Sequence, residues 1–399
     1  MEIFFVCFTG VLSHESVGER FFLYSNSKGF IALEEQTMNK MTVREYLAMI
    51  FDGMAKGLFA SLIVGTIISQ IGSLLGNIDN VLVGHIALGI EQIGRVPQLM
   101  MGPAIGAGVA MKRVAGEETL KPFTLLAAVA AGALGAGTLR FTEGSIGVDA
   151  IVVGDPHGAL LAVLIAVELI RRIEGKTKFD LLIIPALVIG ISGTIGQIVT
   201  PIITEAMGRF GEFVVQITDL RTLPMSILIA IIIGMTLTLP IISSAALCIA
   251  IGIGIGTGGE IGTLAAGAAL AGASAQMVGF AVSSFRENGA GGLVAQGIGT
   301  SMIQMPNIIK NPWVWLPPLV ASAISGPVAA VVLGLRTTSV GAGMGTSGLV
   351  GPFQTIYAMG MGGFLPMILA CVIVPGAVAF LLSELMRKKG LIKAGDLKL

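Results

Sequence analysis

Charged residues are scarce in this sequence. Asp, Glu, Lys and Arg make up 12% of its 399 residues, where a soluble domain carries about 25%. A soluble enzyme of this length needs charged faces, and most segments here have none. Acids and bases balance at a formal net charge of zero, so the basic footprint of a nucleic-acid binder is missing. Cysteine is rare too: Cys7, Cys248 and Cys371 lie far apart and form neither a CxxC pair nor a disulfide framework. The three histidines, His14, His85 and His157, form no HExxH motif, so no metal site and no cofactor is expected. Neither GxxxxGKS nor GxxxxGKT occurs, which leaves ATP-driven transport by this chain unsupported. GMGTSG, from Gly343 to Gly348, matches GxGxxG, but no dinucleotide-binding βαβ unit surrounds it.

What is abundant is apolar and small. Hydrophobic residues make up 54% of the chain, and its 56 glycines are roughly twice the usual share of about 7%. Glycine is enriched in membrane helices because small residues let backbones approach closely. A crossing helix needs about 20 predominantly apolar residues. Ten segments qualify, some marginally: 54–75, 81–111, 123–139, 157–170, 181–200, 223–239, 241–256, 261–283, 313–335 and 362–382. The expected fold is therefore all-α, a polytopic membrane protein of about ten transmembrane helices. A single long helix kinked at Pro240 is the alternative to the sixth and seventh crossings.

With ten crossings, the basic loops fall on one side, at Lys40, Arg44, Lys112, Arg113, Lys121, Arg171, Arg172, Lys176, Lys178, Arg286, Lys310 and the cluster from Arg387 to Lys398. Arg140, Arg209, Arg221 and Arg336 fall on the other. The positive-inside rule then places a multi-pass protein in the plasma membrane, among its lipids, with both termini cytoplasmic. Merging the helices at Pro240 scrambles this asymmetry. Trp313 and Trp315 start a segment, where interfacial anchors belong.

Three domains of character are expected. Residues 1–37 form an N-terminal extension too short in its apolar run to span and lacking a basic n-region; translation from Met38 or Met41 is one reading. Residues 38–388 form the transmembrane domain. Residues 389–399 form a basic cytoplasmic tail. Within the domain, residues 140–156 and the glycine-rich 288–311 are read as two re-entrant hairpins, because irregular backbone at membrane depth must be buried or line a cavity. Residues 339–351 are read as a third such loop or an extracellular linker.

Ionisable groups held in a membrane mark substrate or ion paths. Arg140, Glu143, Asp149, Asp155 and His157 lie between two apolar segments, and the run AIVVG between the aspartates argues for re-entry over an exposed loop. Glu91 and Arg95 stand at i,i+4 on one helix side, either as a structural ion pair or as a coupling group. His85, close before Glu91, is expected to be an interior hydrogen-bonded histidine. Asn288, Gln296, Gln304 and Asn307 are neutral donor–acceptor groups that suit sugar hydroxyls; they equally suit backbone groups freed by a broken helix.

Several of these stretches carry a resemblance. FTEGSI at 141–146 followed by Asp155-Pro156 resembles the ITEGAI…DP element of fructose-type permeases of the phosphotransferase system. LPIISSAA at 239–246, GGLVAQGIGTS at 291–301, MPNIIKNP at 305–312 and GAGMGTSGLVG at 341–351 resemble a narrower branch of enzyme IIC-like membrane proteins, one that includes proteins named after the perfringolysin O regulator. The resemblance implies a homodimeric permease with re-entrant hairpins and a glutamate that hydrogen-bonds sugar hydroxyls; by motif position that is Glu143, with Thr142 beside it. Phosphorylating permeases also need an enzyme IIB domain bearing a phosphorylated Cys or His. This chain has no such soluble domain, so phosphotransfer would run through separate enzyme IIB and IIA proteins. The expected function is a permease for a sugar or other small polar solute. The alternatives are a membrane sensor or regulator that kept the fold, or an ion-coupled carrier using Glu91, Asp155 or His157.

Overall fold

The structure, a computed structural model, describes residues 42–76, 80–113, 122–137, 139–140, 150–151, 154, 156–173, 176, 179–218, 220–239, 244–254 and 259–399. The chain divides into two compact units, 1–46 and 47–399. The expected extension 1–37 lies outside the described residues, as do Thr142, Glu143, Asp149 and Asp155.

Helices make up nearly all of the described chain. The first, α1 (Val43–Leu58), begins at a capping box: Thr42 Oγ1 accepts from Glu45 N (3.3 Å) while Glu45 Oε2 accepts from Thr42 N (2.9 Å). It runs through a wide turn at Phe59–Ile63 into α2 (Val64–Leu75). Then follow α3 (Val81–Leu99), α4 (Met101–Arg113), α5 (Pro122–Ala136), α6 (Pro156–Ile173), α7 (Asp180–Thr218) and α8 (Thr222–Thr238). The second half holds α9 (Ser244–Ala250), α10 (Gly259–Ser283), α11 (Phe285–Val294), α12 (Met305–Lys310), α13 (Leu316–Pro327), α14 (Ser339–Met344), α15 (Val350–Met359), α16 (Phe364–Ile368) and α17 (Val374–Lys388). A two-residue antiparallel ladder, β1 (Leu139–Arg140) with β2 (Ala150–Ile151), pairs Arg140 with Ala150.

Among the described residues, four helical stretches are long and apolar enough to cross a membrane: Val43–Ser73, Gly259–Ser283, Pro312–Val332 and Ser347–Lys388. Four shorter apolar helices accompany them, Thr124–Ala136, Pro156–Ile170, Asp180–Thr194 and Thr222–Thr238. Two expected crossings are not continuous helices. The segment 81–111 breaks at Met100 (φ −85°, ψ 11°), three residues after Pro97; α3 packs on α2, whereas α4 packs on α5 and α6. The segment 241–256 yields only the seven-residue α9, because Gly252 (φ +67°) and Gly254 (φ +136°) turn the chain away. Conversely, the expected crossing 181–200 does not stop: α7 continues to Thr218, 39 residues in all, or roughly 58 Å at 1.5 Å per residue. Its second half is amphipathic, burying Val214 and Ile217 beside Leu247 and exposing the Arg209–Glu205 ion pair (2.8 Å).

The centre of the second half is α10. Residues 265–281 are buried without exception, and a helix apolar on every side is a core helix. Its run of Ala and Gly is what makes room. It packs against α8, α13, α14 and α17, and at Gly272 the Ala230 backbone of α8 comes so close that a Cβ would overlap it. Residues 339–351 are not an outside linker: α14 is buried against α9 and α10, with Ser244 Oγ donating to Gly343 O at 2.6 Å.

This packing predicts a sharp contrast between two glycines. Gly272→Val should cost at least about 3 kcal/mol, since overpacking alone costs 1–3 kcal/mol and here the obstacle is backbone. Gly291→Ala, exposed and with open space around it, should be neutral or slightly stabilising. Thermal unfolding of both variants in detergent checks this; equal melting temperatures would contradict it.

Candidate functional site

The buried polar side chains of the second half gather where helices are broken. The first group centres on Gln276, fully buried midway along α10. Trp315 Nε1 donates to Gln276 Oε1 at 2.8 Å, and Gln276 Nε2 donates to Ser322 Oγ at 2.9 Å. Ser322 Oγ in turn reaches Gly272 O at 3.0 Å. Thr238 Oγ1, at the end of α8, lies 3.3 Å from Gln276 Oε1 and 2.8 Å from Ser301 Oγ. One glutamine thus ties α8, α10, the start of α13 and the turn at Ser301–Gln304. Trp315, expected as an interfacial anchor, turns its indole N–H inward to this group, while Trp313 stays 52% exposed.

The second group comprises the amides of residues 288–311. This stretch is α11, a wide turn at Ala295–Gly299, a tight turn at Ser301–Gln304, and α12. The structure brings together the four amide residues singled out by sequence. Gln296 Nε2 donates to Ser284 Oγ (2.7 Å) and Gly292 O (3.0 Å). Gln304 Nε2 donates to Gln296 Oε1 (2.8 Å), and Asn307 Nδ2 to Gln304 Oε1 (2.7 Å). The remaining amide capacity, Asn288 included, meets the backbone of residues 397–399. The loop after α14 closes on the same stretch: Thr346 Oγ1 donates to Gly297 O (2.6 Å) and Ser347 Oγ to Gly299 O (2.8 Å). Beside it, Arg387 forms a two-pronged ion pair with Glu287 (2.8 and 2.9 Å), both side chains little exposed.

The first half places its candidates differently. Glu91 is half-buried on α3 and Arg95 is exposed one turn on; among the described residues no ion pair joins them. Glu91, Ser73 and His85 instead line a cavity of about 510 Å³ between α2 and α3. His85 is exposed rather than interior, its Nδ1 donating to Val81 O at 2.8 Å. His157 sits half-buried in the first turn of α6. Arg140 pairs by backbone with Ala150, which holds the two ends of the 141–149 stretch opposite each other.

Sequence reasoning missed Gln276, Thr238, Ser301 and Ser322. The available signal was a lone glutamine inside a run of small and apolar residues, since an intramembrane polar residue needs a partner.

A family model described as "Phosphotransferase system, EIIC" matches residues 48–399. Among solved structures, the crystal structure of the transporter ChbC, the IIC component from the N,N'-diacetylchitobiose-specific phosphotransferase system, covers 90% of this chain and 98% of its own. Identity is 14% and the TM-score 0.39, a level that fixes no residue correspondence. No curated protein matches the chain.

Removing the hub of the first polar group should be costly. Gln276→Leu leaves the Trp315 indole and the Thr238–Ser301 pair short of a partner, and an orphaned buried group costs about 1–3 kcal/mol. A loss of about 2 kcal/mol or more in detergent unfolding is expected. An unchanged midpoint would show that the contacts carry no net stability.

Proposed function

Because the chain belongs to the phosphotransferase-system EIIC family, we propose that it is a membrane permease for a neutral sugar or a similar polyhydroxylated solute, coupled to phosphotransfer only through separate enzyme IIB and IIA proteins. The observation that carries this reading is the chemistry of the buried polar residues around α10. Gln276, Gln296, Gln304, Asn307, Thr238, Ser301 and Ser322 are all uncharged. Each amide offers donors and an acceptor and each hydroxyl offers both, the mixture that sugar hydroxyls require and that an ion does not. Broken helices holding such groups at depth are what transporter binding sites are built from.

The reading has a topology. The reading has about ten passes, of which the apolar helices among the described residues supply eight, with both termini in the cytoplasm because the basic loops fall on one side. Residues 140–156 and 288–311 re-enter from opposite sides, and two copies of the chain pair. Solute is held between the two hairpins, with Glu143, Thr142, Asp155 and His157 on one side and the amides on the other. The protein then exposes the solute alternately to each face. Reporter fusions at Gly175 and at the C-terminus should report the cytoplasm, and one at Ile78 the outside. Opposite sides for Gly175 and the C-terminus would break the even count.

The functional test is reconstitution. Purified protein in liposomes, screened against labelled neutral sugars, should show saturable uptake, and Glu143→Gln should weaken solute binding by about 1.5–3 kcal/mol, the range for a hydrogen bond to a charged group, without changing the melting temperature. Normal binding with a collapsed melting temperature would make Glu143 a structural residue. Absence of uptake for any neutral solute, with or without enzymes IIA and IIB, would favour a sensor that kept the fold.

A further inference from the structure

Residues 391–399 carry the sequence LIKAGDLKL, and they fold back onto the broken segment 288–311. Gly390, at φ +72°, reverses the chain after α17, and the Leu391 N–H returns to Met386 O at 3.0 Å. Ile392 and Leu397 are 2% and 0% exposed, packed with Phe280, Met305, Ile308, Val314 and Met386. The polar contacts come from amide side chains reaching for tail backbone. Asn288 Nδ2 and Gln304 Nε2 both donate to Leu397 O, at 2.8 and 3.0 Å. Asn307 Nδ2 donates to Lys398 O at 2.9 Å, and Asn288 Oδ1 accepts from Leu399 N at 3.0 Å. At the other end Asn311 Nδ2 donates to Leu391 O (2.9 Å) and Asp396 Oδ2 (2.8 Å). Lys393 and Lys398 point away and are exposed.

This is the chemistry of peptide recognition. Main-chain groups supply the hydrogen bonds and two apolar side chains in pockets supply the selectivity. A purely structural tail needs the apolar contacts but not four amides aimed at its backbone. We propose that the 288–311 segment is a peptide-binding site whose occupant is residues 391–399 of the same chain, and that the docked tail keeps Gln304 and Asn307 from any solute. The second half of this statement rests on the permease reading above; the first half does not. A ligand tethered by a few residues works at an effective concentration on the order of millimolar, so a free-peptide Kd of about 10 μM already keeps the site about 99% filled. Release of the tail would then free the three donors that meet the Leu397 and Lys398 carbonyls, Asn288, Gln304 and Asn307, for solute.

The test uses the whole chain with a protease site inserted between Gly390 and Leu391, purified intact and cut after folding. Either the cut tail stays bound through gel filtration, or it leaves and labelled LIKAGDLKL rebinds with a Kd of about 10 μM; both outcomes support the site. The peptide carrying Leu397→Asp should bind at least tenfold more weakly, and Asn307→Ala in the protein should weaken the parent peptide similarly. A monodisperse cut protein that has lost its tail and shows no saturable binding of the peptide up to 1 mM overturns the proposal. So does aggregation on cutting, which would make the tail a strut. Solute uptake by liposomes holding cut protein should rise at least twofold after the tail is washed away. Peptide binding without that rise overturns the shielding and leaves the peptide site standing.

Discussion

A chain this apolar has to close its own backbone. Inside a bilayer there is no water to meet a free N–H or C=O, so each break in a helix must be repaired by protein groups. The second half of the molecule is organised around that demand. The breaks at 295–304 and 345–349 lie against each other, and each lends the other its missing partners: Thr346 and Ser347 serve the carbonyls of Gly297 and Gly299. Thr300 Oγ1 caps the turn that follows it by accepting from Met302 N at 3.2 Å. Small residues along α10 let these pieces sit close enough to do so.

The same demand explains why the site is neutral. A buried charge without a partner is far more costly than an amide, and the most buried of the ion pairs among the described residues, Arg387 with Glu287, is two-pronged and lies at the edge where α11 meets α17. Amides and hydroxyls satisfy backbone when the site is closed and are chemically suited to sugar hydroxyls when it is open. In the proposed permease, a structural and a solute-binding role would be two states of the same groups.

Much of this was legible in the residues. The helix cores of α8, α10 and α13 stand out as apolar runs, and the amide cluster at Asn288, Gln296, Gln304 and Asn307 stands out as polarity in a glycine-rich stretch. Other features were not. Gln276 is the single amide in a helix whose burial on all sides is a tertiary fact. Nothing in residues 201–218 distinguishes a helix that ends from one that runs on, because their glycines and threonines fit membrane helix and loop alike. The segment 241–256 has the composition of a crossing, and only the positive φ of Gly252 and Gly254 reveals that it turns. The tail reads as basic and exposed because its three lysines dominate its composition, whereas its fold is set by Ile392 and Leu397.

The measurement that bears most directly on this account is amide hydrogen exchange across the breaks. The N–H groups of Thr300, Met302, Leu349 and Gly351 each have a partner in the protein, at 2.9, 3.2, 3.0 and 3.0 Å. If the helix breaks are closed by protein groups, these amides should exchange as slowly as those in the middle of α10, within about a factor of ten. Exchange as fast as in the exposed stretch Ala394–Gly395 would mean that water, not protein groups, completes the breaks, and the account of the site would fail with it.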